Sequence, residues 1–202
     1  MLAASLTALD LRGNRLGPEG GKALAPAIAA SASLTEVDVR HNNITGDAAS
    51  QLSAAVLANP KIEKFNDIPI KEMRADSFTT LPLLNTKIGE AGGLILAGLM
   101  RRMGSLTSLD LSSNNIGGYW DSSASKVVYT PEGPKAIADA LRINKTLTEV
   151  PCPAAIPLLY TEVSEGVLLP AQLDVRFNGL GSEGQAAINE AVRGKEGFKL
   201  YM

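Results

Sequence analysis

The sequence is poor in the residues that build many active sites. Its 202 residues include one cysteine, one histidine and nine aromatic residues (four Phe, four Tyr and one Trp). The lone Cys152 cannot form an internal disulfide and gives no sign of a cysteine-built zinc site, so a reduced setting is expected. His41 has no second histidine or cysteine beside it that would complete a metal site. We therefore expect no metal, no cofactor and no catalysis.

Neither charge sign dominates the chain, and long apolar runs are absent. Nineteen Lys and Arg residues face 21 Asp and Glu residues, so the net charge is −2 and no basic field is available for a phosphate backbone. No run approaches the roughly 18 apolar residues of a membrane helix. The first residues lack the basic flank and long apolar stretch of a signal peptide. We expect a cytoplasmic protein that binds neither nucleic acid nor membranes.

Internal repetition is the main feature that the sequence does have. With 45% hydrophobic residues, the chain can bury the core of one ordinary domain. A pattern that starts at Leu6 returns 28 residues later at Leu34, and a weaker copy begins at Phe78. The clear copies are 6–17, 34–44, 106–117 and 173–181. We predict one repeat domain over residues 1–202, with about seven units, of which 62–77 and 147–169 are degenerate.

Each copy opens with an alternation of apolar and polar residues. Leu9 and Leu11 share one face of an extended segment, whereas Ala8, Asp10 and Arg12 share the other face. The pattern predicts one short strand in each unit. An Asn follows each clear strand, where a buried amide can bond backbone groups that the turn leaves unpaired. These residues are Asn14, Asn42, Asn114 and Asn178.

The apolar spacing becomes helical after each strand. The stripes are Leu24, Ala27 and Ile28; Leu52, Val56 and Leu57; Leu94, Leu96 and Leu99; Ile137 and Leu141; and Ile188 and Val192. Pro18 and Pro131 suit the first position of a helix. Thr45 is expected to cap the second helix, and Ser182 has capping-box spacing with Gln185. Alternating strands and helices predict an α/β fold.

The pattern L-x-x-L-x-L-x-x-N-x-L at this period resembles the leucine-rich repeat. Units of 28 residues and the run Leu-Gly-Pro-Glu-Gly-Gly-Lys-Ala-Leu-Ala at 16–25 are similar to the ribonuclease-inhibitor type, also found in NOD-like receptors and the Ran GTPase-activating protein. Segments 65–72 and 191–198 resemble leucine-rich repeat proteins of algae and other protists. The resemblance implies a horseshoe-shaped solenoid with parallel strands on the concave face and helices on the convex face. We expect the strands to share one curved sheet.

Charges of both signs mark the predicted concave face, and they are our first candidates for partner binding. They are Asp10, Asp38, Asp110 and Asp174 in one column, Arg12, Arg40 and Arg176 two residues later, and Glu36 one column back. Neighbouring strands lie about 4.8 Å apart, so these columns can also neutralise one another as a solvated surface. The functional alternative is that the array recognises a charged, extended protein surface, because a repeat fold holds its groups rigidly.

An insertion at 118–130 interrupts the fifth unit and supplies the second set of candidates. It contains Tyr119 and Trp120 near one end and Tyr129 near the other, an arrangement that predicts a small hairpin. Exposed aromatic residues on a loop are good binding anchors. The alternative is that these rings pack against the repeats and only hold the loop in place.

Two functions from different classes fit these features. The first is a non-catalytic scaffold that binds another protein through the concave face, the 118–130 loop or both. The second is a regulator of a partner enzyme, as the resemblance to the Ran GTPase-activating protein implies. Residues 2–7 resemble 29–35, the end of one helix and the start of the next strand, so the first unit looks uncapped. We expect this unit to favour self-association.

Overall fold

Strands alternate with helices along the chain, as the change of period predicts. The computed structural model describes residues 5–121, 125–147, 172–195 and 197–202; Cys152 and the side chains of Trp120 and Asp121 lie outside this description. The strands are β1 Ala8–Asp10, β2 Glu36–Asp38, β3 Lys64–Phe65, β4 Ile68–Pro69, β5 Thr80–Pro82, β6 Ser108–Asp110, β7 Gly118–Asp121, β8 Lys126–Tyr129, β9 Gln172–Asp174 and β10 Lys199–Tyr201. The helices are α1 Gly17–Ala30, α2 Asp47–Ala58, α3 Ile70–Arg74, α4 Gly89–Met100, α5 Glu132–Ile143 and α6 Gly181–Val192.

The described strands form two four-stranded sheets and one hairpin, not the single sheet that we expected. The first sheet has the order β1-β2-β3-β4, and the second has the order β10-β9-β6-β5. All pairs within them are parallel except β3 with β4. Equivalent residues lie opposite each other, for example Leu9 opposite Val37 and Leu109 opposite Leu173. The repeat therefore sets the register within each sheet.

A tight turn at Asn66 and Asp67 ends the first sheet. Both residues have positive φ, at 47° and 69°, which is the backbone pattern of a two-residue β-hairpin turn. The turn folds β4 back against β3, so that Phe65 pairs with Ile68. β4 thereby occupies the edge of β3 to which a further parallel strand would pair, and the second sheet starts afresh at β5.

The third unit is shorter than its neighbours. Its helix α3 spans 5 residues, whereas α2 and α4 span 12 residues each. This agrees with the expectation that 62–77 lacks a full helix. In the second sheet, Ser108 of β6 pairs directly with Gln172 of β9, 64 residues away. Residues 148–169 of the other degenerate segment lie outside the described residues, and the number of units stays a prediction.

One hydrophobic core lies between the strands and the helices. The strands contribute Val37, Phe65, Leu81, Leu109 and Leu173, and the helices contribute Ile28, Leu52, Val56, Ile95, Leu96, Ile137, Leu141 and Ile188. Burying one such side chain stabilises the fold by about 2 kcal/mol. Leu9 of β1 is only half-buried, because no described strand lies beyond it.

The helices begin without side-chain caps, and the predicted capping roles of Thr45 and Ser182 are wrong. Gly46 is the N-cap residue of α2, and Leu180 is that of α6, so Ser182 lies inside its helix. Instead, a glycine N–H after the strand of a unit donates to the main-chain carbonyl of an Asn in the next unit; Gly17 and Gly89 begin α1 and α4, whereas Gly117 precedes β7. These pairs are Gly17 with Asn42 (2.9 Å), Gly89 with Asn114 (3.0 Å) and Gly117 with Asn178 (2.9 Å).

Helix α2 begins with a different contact, because the third unit has Ile70, not Asn, 28 residues after Asn42. Its Gly46 N–H donates to the carboxylate of Glu90, with both oxygens at 3.2 Å. Glu90 belongs to the first turn of α4 and is 2% exposed. At the start of α2, a buried carboxylate thus takes the role of hydrogen-bond acceptor that the Asn carbonyl has at the starts of α1 and α4.

Candidate functional site

Seven polar side chains on the exposed side of the first sheet form the best-defined site. We call them the charged strand face: Asp10, Arg12, Glu36, Asp38, Arg40, Lys64 and Asp67. Alternation along the strands brings all of them except Asp67 to one side, opposite the apolar residues that enter the core, and the turn after β3 adds Asp67. Five of them are candidates from the sequence, and Lys64 and Asp67 are additions from the structure.

The strands β1, β2, β6 and β9 each end in an aspartate. Its side chain accepts a hydrogen bond from the backbone N–H of the residue two positions later. Asp10 Oδ1 accepts a hydrogen bond from the Arg12 backbone N–H at 3.1 Å and from Arg12 Nε at 3.0 Å. Asp38 binds Arg40 in the same way, with the same two distances. The carboxylates therefore close the turn after the strand and fix the direction of each guanidinium.

These contacts favour the charged forms of both partners. The side-chain hydrogen bond from Arg12, followed by its backbone N–H, lowers the pKa of Asp10 to about 2. The hydrogen bond with Asp10 raises the pKa of Arg12, and the one with Asp38 raises the pKa of Arg40. Asp10, Arg12 and Arg40 therefore keep their charges throughout the neutral pH range.

Ion pairs also join neighbouring strands. Arg12 Nε lies 3.5 Å from Asp38 Oδ2, and the Arg40 guanidinium pairs with Asp67 beyond β3. Lys64 Nζ lies 3.0 Å from Asp67 Oδ1. Burial opposes ionisation of Asp67, yet the hydrogen bond from Lys64 and the charge of Arg40 hold its pKa below the ordinary value. The result is a continuous row of alternating charges across three strands.

The charged strand face lines an open groove of about 290 Å³. Exposure differs along it, since the Arg12 side chain is 53% exposed and the Arg40 side chain only 15%. Arg40 Nη1 also donates to the Thr86 carbonyl at 3.2 Å, which ties the first sheet to the loop after β5. Arg12 is thus available to a ligand, whereas Arg40 mainly holds the face together.

The remaining charged candidates lie on the second sheet. Asp110 accepts hydrogen bonds from the Ser112 backbone N–H and hydroxyl, at 2.9 and 2.7 Å. Asp174 holds Arg176 as Asp10 holds Arg12, and the Arg176 guanidinium lies 5.5 Å from the centre of the Tyr201 ring. The structure therefore divides the predicted columns between two sheets.

Strands β7 and β8 pair antiparallel, with Tyr119 opposite Val128. Tyr129 is 60% exposed, whereas Tyr119 is half-buried. The strand β7 includes Trp120, whose side chain lies outside the described residues. Tyr129 also packs beside Gly181, where an added Cβ would lie 3.1 Å from its Cδ1. Of the described aromatic candidates in this loop, only Tyr129 is well exposed.

A small polar cleft of about 100 Å³ lies beside the charged strand face, between the turns that follow β2 and β5. Its lining includes His41, Lys87, Glu90 and Tyr119. Burial raises the pKa of Glu90 to about 7, although the Gly46 N–H favours the carboxylate. No group of three or more His, Cys, Asp or Glu side chains that could hold a metal ion occurs in the described part of the chain.

Sequence reasoning missed Lys64, Asp67 and Glu90. The register opposite Glu36 places Lys64 on the face, and alternation from the degenerate third unit could have identified it. Asp67 belongs to a turn outside the repeat pattern, and Glu90 acts through a contact 44 residues distant in sequence. The repeat pattern therefore gives no indication of a role for Asp67 or Glu90.

Comparison with protein families bears directly on the repeat pattern. A family model of the Leucine Rich repeat matches residues 3–25, 30–53 and 105–118. These matches support a leucine-rich repeat protein, a class that is typically a non-catalytic scaffold for protein–protein interaction. No curated protein matches the chain. No helix among the described residues is long and apolar enough to cross a membrane.

Proposed function

We propose that this chain is a non-catalytic scaffold that binds another protein through the charged strand face, with the 118–130 loop as a second contact. The supporting observation is the row of charges that runs from Asp10 to Asp67 and is held by hydrogen bonds before any partner arrives. Because these side chains are already ordered, binding costs little side-chain entropy. The finer parts of the proposal are a cytoplasmic, ribonuclease-inhibitor type of repeat and a horseshoe with this face on its concave side.

Charge reversal tests the strand face. The variant Arg12→Glu with Lys64→Glu changes two side chains that are 53% and 49% exposed, so the fold should survive. The control, Arg142→Glu, lies on α5, and its arginine is 46% exposed. We expect affinity capture from native lysate with the double variant to recover at least tenfold less partner, and the control to recover the same amount as wild type.

The loop is tested separately by Trp120→Ala with Tyr129→Ala. Loss of the same partner from this variant would support a shared interface that includes the loop. If both double variants retain every partner that the wild type captures, both proposed surfaces are wrong. Circular dichroism and urea unfolding of each variant separate lost binding from lost folding.

The second candidate function, regulation of a partner enzyme, is favoured by the polar cleft at one rim of the fold. His41 and Lys87 there could contact a partner's active site, while the strand face supplies affinity. Once a partner with catalytic activity is captured, its rate is measured with and without the chain. A rate change that Lys87→Ala abolishes at unchanged affinity supports regulation, whereas binding without any rate change contradicts it.

A further inference from the structure

The shortened third unit leaves a groove on the helical side of the molecule. Because α3 has only 5 residues, α2 contacts α4 directly along this layer. Two hollows lie along this contact, with volumes of about 260 and 400 Å³. Both are lined by Leu57 of α2 and Gly98 of α4. They therefore lie on either side of one helix contact and together form the α2–α4 groove.

Gly98 sets the depth of this groove. A Cβ added there would lie 2.7 Å from Leu57 Cδ1, so the helices approach closely at this point. Ala54 and Leu94 line the smaller hollow; directly after the end of α4, Arg101 lines the smaller hollow and Arg102 the larger one. The lining is thus apolar on α4, with Ser50 and Ser53 on the α2 side, and it is cationic at Arg101, Arg102 and Arg74 of α3.

Helix α4 has the composition of a helix that is covered on all sides. Residues 91–100 include no polar side chain, yet Leu94 and Gly98 on the groove side remain partly exposed. By contrast, the solvent side of α5 carries Lys135, Asp139 and Arg142. Helices that are apolar all round are normally buried all round. The composition of α4 therefore indicates that something covers this groove.

The charges at the end of the groove indicate the chemistry of that cover. Arg101 and Arg102 are exposed, and neither has an ion pair with any residue that the structure describes. Arg142 on α5 and Arg193 after α6 each pair with an acidic residue three positions earlier. Two successive arginines without an ion pair among the described residues favour an anionic group on the occupant.

We propose that the α2–α4 groove binds an acidic amphipathic helix of a partner protein. Its apolar face would lie on Leu57 and Leu94, over the contact between α2 and α4, and its carboxylates would pair with Arg101 and Arg102. A groove that binds a helix in this way recognises apolar side chains at helical spacing on that helix. The α4 helix spans 12 residues, and an occupant of about three turns matches its length. This surface is separate from the charged strand face and does not depend on it.

A displayed peptide library tests the groove on the full chain. The library fixes leucines at helical spacing and varies the other positions among Asp, Glu, Lys, Arg, Ser and Gln. Ala54 is exposed in the groove, so peptides that also bind Ala54→Glu do not need the groove and are removed. The remaining peptides selected on wild type should be enriched in Asp and Glu. Selection on Arg101→Glu with Arg102→Glu should instead enrich Lys and Arg. Selected acidic peptides should bind this reversed variant at least tenfold more weakly than wild type.

Controls separate the groove from the rest of the surface. Arg142→Glu on α5 and Arg12→Glu on the strand face should leave the affinity of the selected peptides unchanged. No enrichment on wild type, or acidic peptides that still dominate on the charge-reversed variant, would overturn the proposal. A dimer of the chain alone that Ala54→Glu dissociates would also overturn it, because a second copy would then be the occupant.

Discussion

Buried asparagine side chains connect the turns of neighbouring units. Asn114 Nδ2 donates to Leu83 O at 2.6 Å and to Leu111 O at 2.9 Å, while its Oδ1 accepts from the Thr86 hydroxyl at 3.0 Å. Asn14 is exposed, and its side chain bonds only the carbonyls of Leu11 and Arg12. The same residue type therefore joins two units in one place and closes a single turn in the other.

Replacement of these two residues should have unequal effects. We expect Asn114→Ala to lower the free energy of unfolding by roughly 3 kcal/mol, because it leaves buried carbonyl groups without donors. Asn14→Ala, where water can replace the amide, should cost about 0.5 kcal/mol. Urea unfolding of both variants measures the difference. Equal losses would show that burial does not determine the contribution of this Asn.

Glu90 makes the stability of the fold depend on pH. Burial, and less strongly the nearby Glu132, raises its pKa from 4.5 to about 7 against the effect of the Gly46 N–H and Thr130. A raised pKa in the folded state means that protonation stabilises the fold. This contribution is complete below pH 4.5 and is lost as the pH rises through 7.

The Glu90→Gln variant should remove this pH dependence. The amide oxygen can still accept from Gly46, but it carries no charge to bury. We expect wild type to lose roughly 3 kcal/mol of stability across this pH window, and the variant to be the more stable protein at its upper end. Urea unfolding at several pH values measures this. Glu19→Gln, in the first turn of α1 and exposed, is the control, and a Glu90→Gln variant that keeps the wild-type pH profile would contradict the assignment.

At the scale of elements, two glycines of α4 meet different neighbours. A Cβ at Gly93 would lie 2.6 Å from Ile116 Cγ2, a branched side chain in the core, whereas a Cβ at Gly98 would meet the flexible end of Leu57. We expect Gly93→Ala to destabilise the protein by about 2 kcal/mol through overpacking. Gly98→Ala should be neutral or stabilising by about 0.5 kcal/mol, since alanine favours helix. Thermal unfolding ranks the two, and the opposite order would refute this reading of the helix contacts.

The elements that follow the repeat could be predicted, and those that interrupt it could not. The alternation around Leu9 and Leu109 predicts strands, and the Asn side chains at 42, 114 and 178 make the backbone bonds expected of them. The Asn66–Asp67 turn could not be recognised within a degenerate unit, although it divides the sheet. The predicted cap at Thr45 is wrong because the carboxylate of Glu90, 44 residues from Gly46 in sequence, accepts from the N–H at the start of α2.

At the scale of the whole molecule, the first sheet has an unpaired edge. Among the described strands, β1 pairs only with β2, and its other edge exposes backbone N–H and C=O groups. Leu6 beside it is 59% exposed, and Leu9, Leu11 and Leu16 are only partly buried. Exposed strand edges with apolar neighbours favour pairing with another chain. We therefore propose that two copies associate through their first units.

Sedimentation velocity over a range of concentrations tests this association. Wild type should shift toward a dimer as its concentration rises, and Leu6→Asp should remain a monomer because it places a charge at the apolar edge. Leu84→Asp is the matched control, since Leu84 is 57% exposed but belongs to the second sheet. It should associate like wild type, because β1 is unchanged. A wild-type monomer at every concentration would refute the proposal, and equal loss in both variants would place the contact elsewhere.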